Sequence, residues 1–376
     1  MANKLQKSHD VMMALNYYAP YVSGLTDAAR LVAEELVRRG LSVIVVAGQH
    51  DATLPRSERI NGVDVVRTPV VTRIGKGLIS PTFVSTAVHF GRRARIVNLH
   101  LPMIESGPIA AGLRSTPVVV TYQCDISLPA GVLNRLQTVV MDVSNAIAMR
   151  CANAICPSSA DYAASSRLQR SMSGMRTRPI APPTRTYPAA TPSFRTSGGL
   201  HVGFLGRLVE EKGLEFLVDG FRQLEDPEAR LLIGGDFSKV AGGSVVEKVR
   251  THIGGDERIR LLGFLRDDEL PNFYASLDVF ALPSVNSLEA FGIVQVEAMK
   301  TGVAALASDL PGVRTPVQRT GFGSIVAPRD SLAIEQELRR LSTKPLDRVL
   351  GAERANAEYS LEQTVDEYQT LFESLV

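Results

Sequence analysis

Short apolar runs alternate with segments whose apolar positions recur at three- and four-residue steps. In the first half the runs are VMMAL (11–15), SVIVVAG (42–48), VDVVRTPV (63–70), RIVNLH (95–100) and TPVVVTYQ (116–123). Between the first two lies LTDAARLVAEELVRRG (25–40). There Leu25, Ala28, Ala29, Val32, Leu36 and Val37 share one face, Arg30, Glu34 and Arg38 fall elsewhere, and Gly40 stands where a left-handed C-cap belongs. Continuous apolar strands joined by amphipathic helices predict a parallel sheet covered on both faces.

A second series repeats the pattern. LHVGFLG (200–206), a helix over 214–224, RLLIGG (230–235), a helix over 244–253, RIRLLGF (258–264), DVFALPS (278–284), a helix ending at Gly302, VAALAS (303–308) and GSIVAP (323–328) follow in order. RPIAPPTRTYPAATPSFRTSGG (178–199) separates the two series, and its prolines disfavour both helix and central strand. With 376 residues the chain exceeds what one core usually supports. The fold class is therefore α/β, with an N-terminal domain over 1–185, a linker over 186–199 and a C-terminal domain over 200–350. A terminal segment, 351–376, carries an apolar stripe of Leu361, Val365, Tyr368, Leu371 and Phe372 that must dock. Open α/β sheets bind ligands at the carboxyl ends of their strands, so the active site is expected between the two domains.

Composition narrows the partners. Forty-one Lys and Arg balance 39 Asp and Glu to a formal charge of +2, too little for a nucleic-acid footprint, so any bound anion is small and local. Cys124, Cys151 and Cys156 form no CxxC pair and are expected to be reduced packing residues. The N-terminus lacks a signal-peptide core, and no apolar stretch reaches a membrane-spanning length, which predicts a cytoplasmic protein. Arg92, Arg93, Arg95, Arg167, Arg170, Arg176 and Arg178 are compatible with peripheral contact at the cytoplasmic face of a membrane, or with an ordinary solvated surface.

Two motifs carry chemistry. GRLVEEKG (206–213) sets Gly206, Arg207, Lys212 and Gly213 between a strand and a helix, where N-terminal amides already favour an anion; it contains neither GxxxxGK[ST] nor GxGxxG. SLEAFGIVQVEAMKTG (287–302) holds Glu289 and Glu297 eight positions apart. A helix beginning near Phe291 or Gly292 leaves Glu289 in the loop before it and aims the amides of Phe291, Gly292, Ile293 and Val294 at an anion. Carboxylates that accept hydroxyl hydrogens are a standard way to hold a ribose or a sugar. Taken singly, the first motif also reads as a turn with two solvated cations and the second as a helix showing its glutamates to water; together they describe a nucleotide-sugar pocket.

These residues resemble the retaining GT-B glycosyltransferases of family 4, the group 1 glycosyltransferases. EAFGIVQVEAM (289–299) matches the family's paired-glutamate motif, GRLVEEKG its phosphate loop, and YYAPYVSGLTDAARLVAEELVRRG (17–40) its first loop and helix. The resemblance implies two Rossmann-like domains facing across a cleft. It also implies sugar transfer from a UDP or GDP donor to a glycan, glycolipid or small-molecule hydroxyl, with no cofactor and no metal. By position, Arg207 and Lys212 would neutralise the diphosphate, the 291–294 amides would meet sugar and phosphate, Glu297 would hold the ribose and Glu289 a sugar hydroxyl. The backbone around Phe264 would meet the base, Gly24 would approach the donor phosphate, and the terminal helix would return to the N-terminal domain. The chain departs from the pattern at Leu25, where a second glycine is usual, and at Gln123 in VVVTYQCDISLP (118–129), where relatives read Tyr-His-x-Asp. Glutamine orients hydroxyls but is no general base. His100 and Asp125 are the remaining acceptor-side candidates; for His100 a hydrogen-bonded structural role is the competing reading. Asp267, Asp268 and Glu269 are expected to be acids of a helix start rather than metal ligands. The rival functions are a non-catalytic nucleotide-sugar binding protein, suggested by Gln123, and a GT-B epimerase or phosphorylase.

Overall fold

A computed structural model describes residues 8–74, 77–126, 131–235 and 245–376, and the chain divides into two units, Met1–Pro183 with Leu361–Val376 and Thr184–Ser360. The first unit contains strands β1 (His9–Ala14), β2 (Val43–Gly48), β3 (Ser57–Ile60), β4 (Val63–Thr68), β5 (Thr72–Ile74), β6 (Gly77–Ile79), β7 (Ala94–Leu101), β8 (Val118–Tyr122) and β9 (Ala154–Pro157). Its helices are α1 (Gly24–Arg38), α2 (Phe83–Arg93), α3 (Ser106–Gly112), α4 (Val132–Cys151), α5 (Ala160–Ser165) and α6 (Gln169–Met172). The main sheet runs β3-β4-β2-β1-β7-β8-β9. All its pairings are parallel except β3 with β4, and β5 and β6 form a separate antiparallel pair. The apolar runs become its central strands because they are buried on both faces: every residue of β2 and β8 is buried.

α1 starts one residue before the periodic pattern. Ser23 is its N-cap, accepting from the Thr26 amide at 3.2 Å, and Ala28, Ala29, Val32 and Leu36 turn to the sheet.

The second unit holds β10 (His201–Leu205), α7 (Leu214–Arg222), β11 (Arg230–Gly234), α8 (Val246–Ile253), β12 (Ile259–Gly263), α9 (Leu270–Ala275), β13 (Val279–Leu282) and α10 (Ile293–Lys300). β14 (Ala304–Ser308), α11 (Thr315–Thr320), β15 (Gly323–Val326), α12 (Ser331–Thr343) and α13 (Arg348–Glu358) complete it. The strand order β12-β11-β10-β13-β14-β15 is the doubly wound 3-2-1-4-5-6 arrangement, parallel throughout. Alternate residues feed opposite faces: Leu231, Ile233, Val279 and Ala281 join one core, and Leu232, Phe280 and Leu282 the other. The order reverses between β10 and β13. Loops 206–213 and 283–292 therefore open side by side at the carboxyl edge of the sheet.

Two stretches differ from the periodic reading. The proline-rich segment expected to be a linker is packed onto the second unit: Tyr187 lies 5.4 Å from Tyr274 and Phe194 6.2 Å from Phe273 between ring centroids, and Arg195 bonds Asp278 at 3.0 Å. Its aromatic residues supply apolar area that its prolines do not forbid. The segment 351–376 is split. α13 stays with the second unit, whereas α14 (Leu361–Glu373) belongs to the first, where Val365, Tyr368, Leu371 and Phe372 join the core beside Val32 and Leu36.

Candidate active site

The site in the second unit is built where the two loops meet. After β10 the chain passes Gly206 and Arg207, makes a 3₁₀ turn over Glu210–Lys212 and enters α7 through Gly213 at φ +62°. A Cβ at Gly213 would lie 2.3 Å from the Pro283 carbonyl oxygen, so only glycine lets the loops come this close. The Val285 amide then donates to the Glu211 carbonyl at 2.9 Å, tying one loop to the other. In this frame Lys212 Nζ bonds Glu289 Oε2, and both side chains keep some exposure, 15% and 17%. Arg207, half exposed, pairs with Glu211 at 3.4 Å.

α10 begins at Ile293, and Gly292 at φ +80° is its N-cap. A Cβ there would stand 2.3 Å from Leu282 Cδ2 and 2.6 Å from Gln295 Nε2. Phe291 turns inward, 4% exposed, with its ring 5.7 Å from that of Tyr359. Ile293 and Val294 form the first turn, whose amides have no intrahelical acceptor. Gln295, which the sequence reading passed over, fixes this geometry: fully buried, it donates from Nε2 to the carbonyls of Phe291 at 2.7 Å and Val313 at 2.8 Å. A lone uncharged polar residue inside IVQVEAM was the available signal.

Glu297 is engaged within the unit. Expected to offer its carboxylate to a ribose, it is 7% exposed and already satisfied. Oε1 accepts from the Arg185 amide at 3.3 Å, and Oε2 accepts from the Tyr187 and Tyr274 hydroxyls, each at 3.3 Å. Burial raises its pKa, opposed by those hydrogen bonds and the Arg185 charge. The residue is a strut between α9, α10 and the chain at 185–187. Arg185, Tyr187 and Tyr274 are separated from it by 23 to 112 positions, so nothing local marked them.

Phe264 follows β12 directly and is 69% exposed. Asp267 pairs with Arg185 at 3.1 Å and Asp268 with Arg266 at 3.0 Å; the Glu269 carboxylate accepts the Arg266 amide at 2.9 Å at the start of α9. Among the described residues no three His, Cys, Asp or Glu side chains gather as a metal site.

The first unit carries the other candidates. Gly24 is the first residue of α1 and is exposed. Gln123 is half-buried, with Nε2 3.4 Å from His100 Nδ1. His100 is itself 4% exposed, and burial pushes its pKa down to about 4. With Thr121, Tyr122, Gln123, Cys156 and Tyr368 it lines a cavity of about 20 Å³, room for a water and not for a sugar ring. His100 is thus a buried, neutral histidine whose Nε2 has no hydrogen-bond partner among the described residues. Asp125, like Glu297, is engaged within its own unit. Its carboxylate accepts from the Tyr122 hydroxyl, from Ser166 Oγ at 3.0 Å and from the Arg167 amide at 3.2 Å, so it closes the loop after β8 and has no exposed face to offer. All three cysteines are free; Cys156 is buried, Cys124 is half-buried and Cys151 is exposed.

A phosphate-type loop and a glycine-initiated helix over the switch point of a doubly wound sheet, in a chain that also holds another Rossmann-like unit, define a GT-B enzyme. The glycosyl transferase 4-like domain matches residues 23–183 and the glycosyl transferases group 1 domain residues 194–358, so the chain belongs to the group 1, family 4 glycosyltransferases. It is 26% identical over 355 residues to an uncharacterised glycosyltransferase of Methanocaldococcus jannaschii, covering 86% of each chain. Among solved structures it is similar to a sucrose-phosphate synthase from Thermosynechococcus elongatus, with a TM-score of 0.81 at 22% identity over 98% of this chain and 99% of that one. Anabaena HepE in complex with UDP-glucose matches with a TM-score of 0.72 at 18% identity over 98% and 100%. The protein is a hexosyltransferase-type enzyme that draws on a nucleotide-sugar donor. No helix among the described residues is long and apolar enough to cross a membrane.

Proposed function

We propose that the chain transfers a hexosyl group from UDP or GDP to a hydroxyl acceptor with retention of anomeric configuration and without a metal ion. The observation that carries this reading is the contact between Lys212 and Glu289 over the switch point of the second unit, beside the start of α10. Lys212 and Arg207 supply fixed positive charge for a diphosphate, and the first turn of α10 adds its positive dipole end. Glu289 accepts a hydrogen from a donor sugar hydroxyl, and the backbone beside Phe264 meets the base. Gly24, at the open start of α1, gives the first unit its approach to phosphate.

In the step itself the acceptor oxygen bonds the anomeric carbon on the face from which the diphosphate leaves. The carbon–oxygen bond to the β-phosphate breaks with its electron pair, and the acceptor proton passes to a phosphate oxygen. Gln123 orients hydroxyls and moves no proton. The acceptor is a glycan, a glycolipid or a smaller hydroxyl compound, and the HepE complex favours UDP as the first donor base to try.

A thermal-shift panel of UDP, GDP and their sugars tests the pocket, since a ligand at 100 times its Kd adds about 2.7 kcal/mol of stability. The anomeric configuration of the product, read by NMR, tests retention, and turnover in excess chelator tests metal independence. An inverted product, or activity abolished by chelator and restored by a divalent ion, overturns the corresponding part.

A further inference from the structure

α4 is oriented against the usual rule for surface helices. Its buried face is mixed: Ala148 and Met149 are fully buried, and beside them Ser144 Oγ accepts from the Gly107 amide at 3.0 Å and Asn145 Oδ1 accepts from the Met103 amide at 3.2 Å and Ser106 Oγ at 3.0 Å. Both side chains are buried against α3, where a Cβ on Gly107 would meet the Ser144 carbonyl oxygen at 2.8 Å. The outer face is aliphatic. Val132, Leu136, Val139, Val140, Val143 and Ile147 are all exposed, from 42% to 90%. A helix normally turns such a stripe to the core, and a contiguous apolar patch of this kind on a soluble surface marks an interaction site.

The spacing of the stripe identifies the occupant. The six positions are symmetric about the midpoint between Val139 and Val140: Val132 mirrors Ile147, and Leu136 mirrors Val143. An antiparallel pair of identical helices on a two-fold axis requires this self-complementarity, because each residue must meet the mirror position of its partner. Five of the six residues are β-branched, which suits helix seams, and α4 carries no aromatic residue to anchor it at a lipid interface. Arg135 and Asp142 lie seven positions apart on one flank, and the same axis brings each Arg135 along the other copy's Asp142. Within one chain Asp142 is bound by Arg167 at 3.2 Å, which leaves its second oxygen to face that arginine. The stripe exposes on the order of 500 Å² per copy, so mutual coverage removes on the order of 1,000 Å² in total, the size from which specific interfaces begin.

We propose that α4 is a homodimerisation helix, pairing antiparallel with α4 of a second copy about an axis at Val139 and Val140. Sedimentation velocity of the full chain over a micromolar concentration series should show a dimer. Val143→Glu, and separately Leu136→Glu, should shift it to monomer while the thermal-shift response to UDP or GDP stays as in the parent, a control that also shows the variants fold. With a short bis-maleimide linker Val140→Cys should cross-link well above the parent, which carries exposed Cys151, and Ile147→Cys should not, its two copies standing roughly 20 Å apart at 1.5 Å per residue. A monomeric parent overturns the proposal, as does a monomer that co-sediments with phosphatidylglycerol vesicles through this face. Equal cross-linking at 140 and 147 overturns the antiparallel axis.

Discussion

Lys212 Nζ bonds Glu289 Oε2 although 77 positions separate the two residues, because the reversal of strand order between β10 and β13 brings the loops that follow those strands to one edge. A cation and a carboxylate that meet while still partly exposed neutralise each other when the site is empty and remain open to a ligand's phosphate and hydroxyls. Lys212→Ala and Glu289→Ala should each lower kcat/KM at least ten-fold, about 1.4 kcal/mol. Because the pair acts as a unit, the double variant should lose less than the sum of the two. Steady-state kinetics of the four proteins measures this; near-parental rates in both single variants would remove the pair from the reaction.

Gly292 sets where α10 starts. Gly292→Ala places a Cβ against Leu282 and Gln295 in a left-handed backbone and should cost at least about 1 kcal/mol of stability in urea titration. It should also weaken donor binding more than it weakens the fold, since the first turn of α10 moves with it. Gln295→Ala should reproduce the loss in binding, as it frees the Phe291 and Val313 carbonyls.

The buried imidazole of His100 predicts an acid-sensitive first unit. Its pKa is pushed down to about 4 from an ordinary 6.5. Between those values the unfolded chain binds a proton that the folded chain does not. The stability is therefore complete above about pH 6.5 and is lost as pH falls towards about 4, on the order of 3 kcal/mol in all. His100→Gln should flatten that part of the urea-unfolding profile; an unchanged slope would place the sensitivity elsewhere.

Glu297 has the opposite sign. Its raised pKa means that the folded state holds the proton more tightly, so its contribution is fully present below an ordinary 4.5 and declines as pH rises through the raised value. The difference in stability between Glu297→Gln and the parent should grow in the variant's favour over that window. Tyr274→Phe, which removes one donor from a buried carboxylate, should cost about 1–3 kcal/mol at neutral pH. A Tyr274→Phe variant as stable as the parent would show that the carboxylate has another partner.

The alternation of apolar runs was enough to place most central strands, because a strand buried on both faces must be continuously apolar wherever it lies in the sheet. Edge and surface elements left weaker traces. β3 is antiparallel with half-exposed residues, and α4, which the alternation of runs did not mark, turns much of its aliphatic surface outward. Arg207, Lys212, Gly292 and Glu289 were legible as candidates because glycine and charge at a strand-to-helix turn have a local meaning. The internal partners of His100, Asp125 and Glu297 were not legible, because a polar residue at the end of a strand or within a helix looks the same whether its partner is a ligand or a distant side chain.

The chain by itself determined the class of fold, the two alternating series and the loops that crown the second sheet, since backbone propensity and the burial of continuous apolar strands act over a few residues at a time. Only the tertiary structure decided which polar groups are consumed internally. Tyr187 and Tyr274 reach Glu297, and Tyr122 and Ser166 reach Asp125, across separations that no local pattern encodes. Desolvation then makes each such hydrogen bond obligatory, and the groups it leaves exposed are the ones free to act.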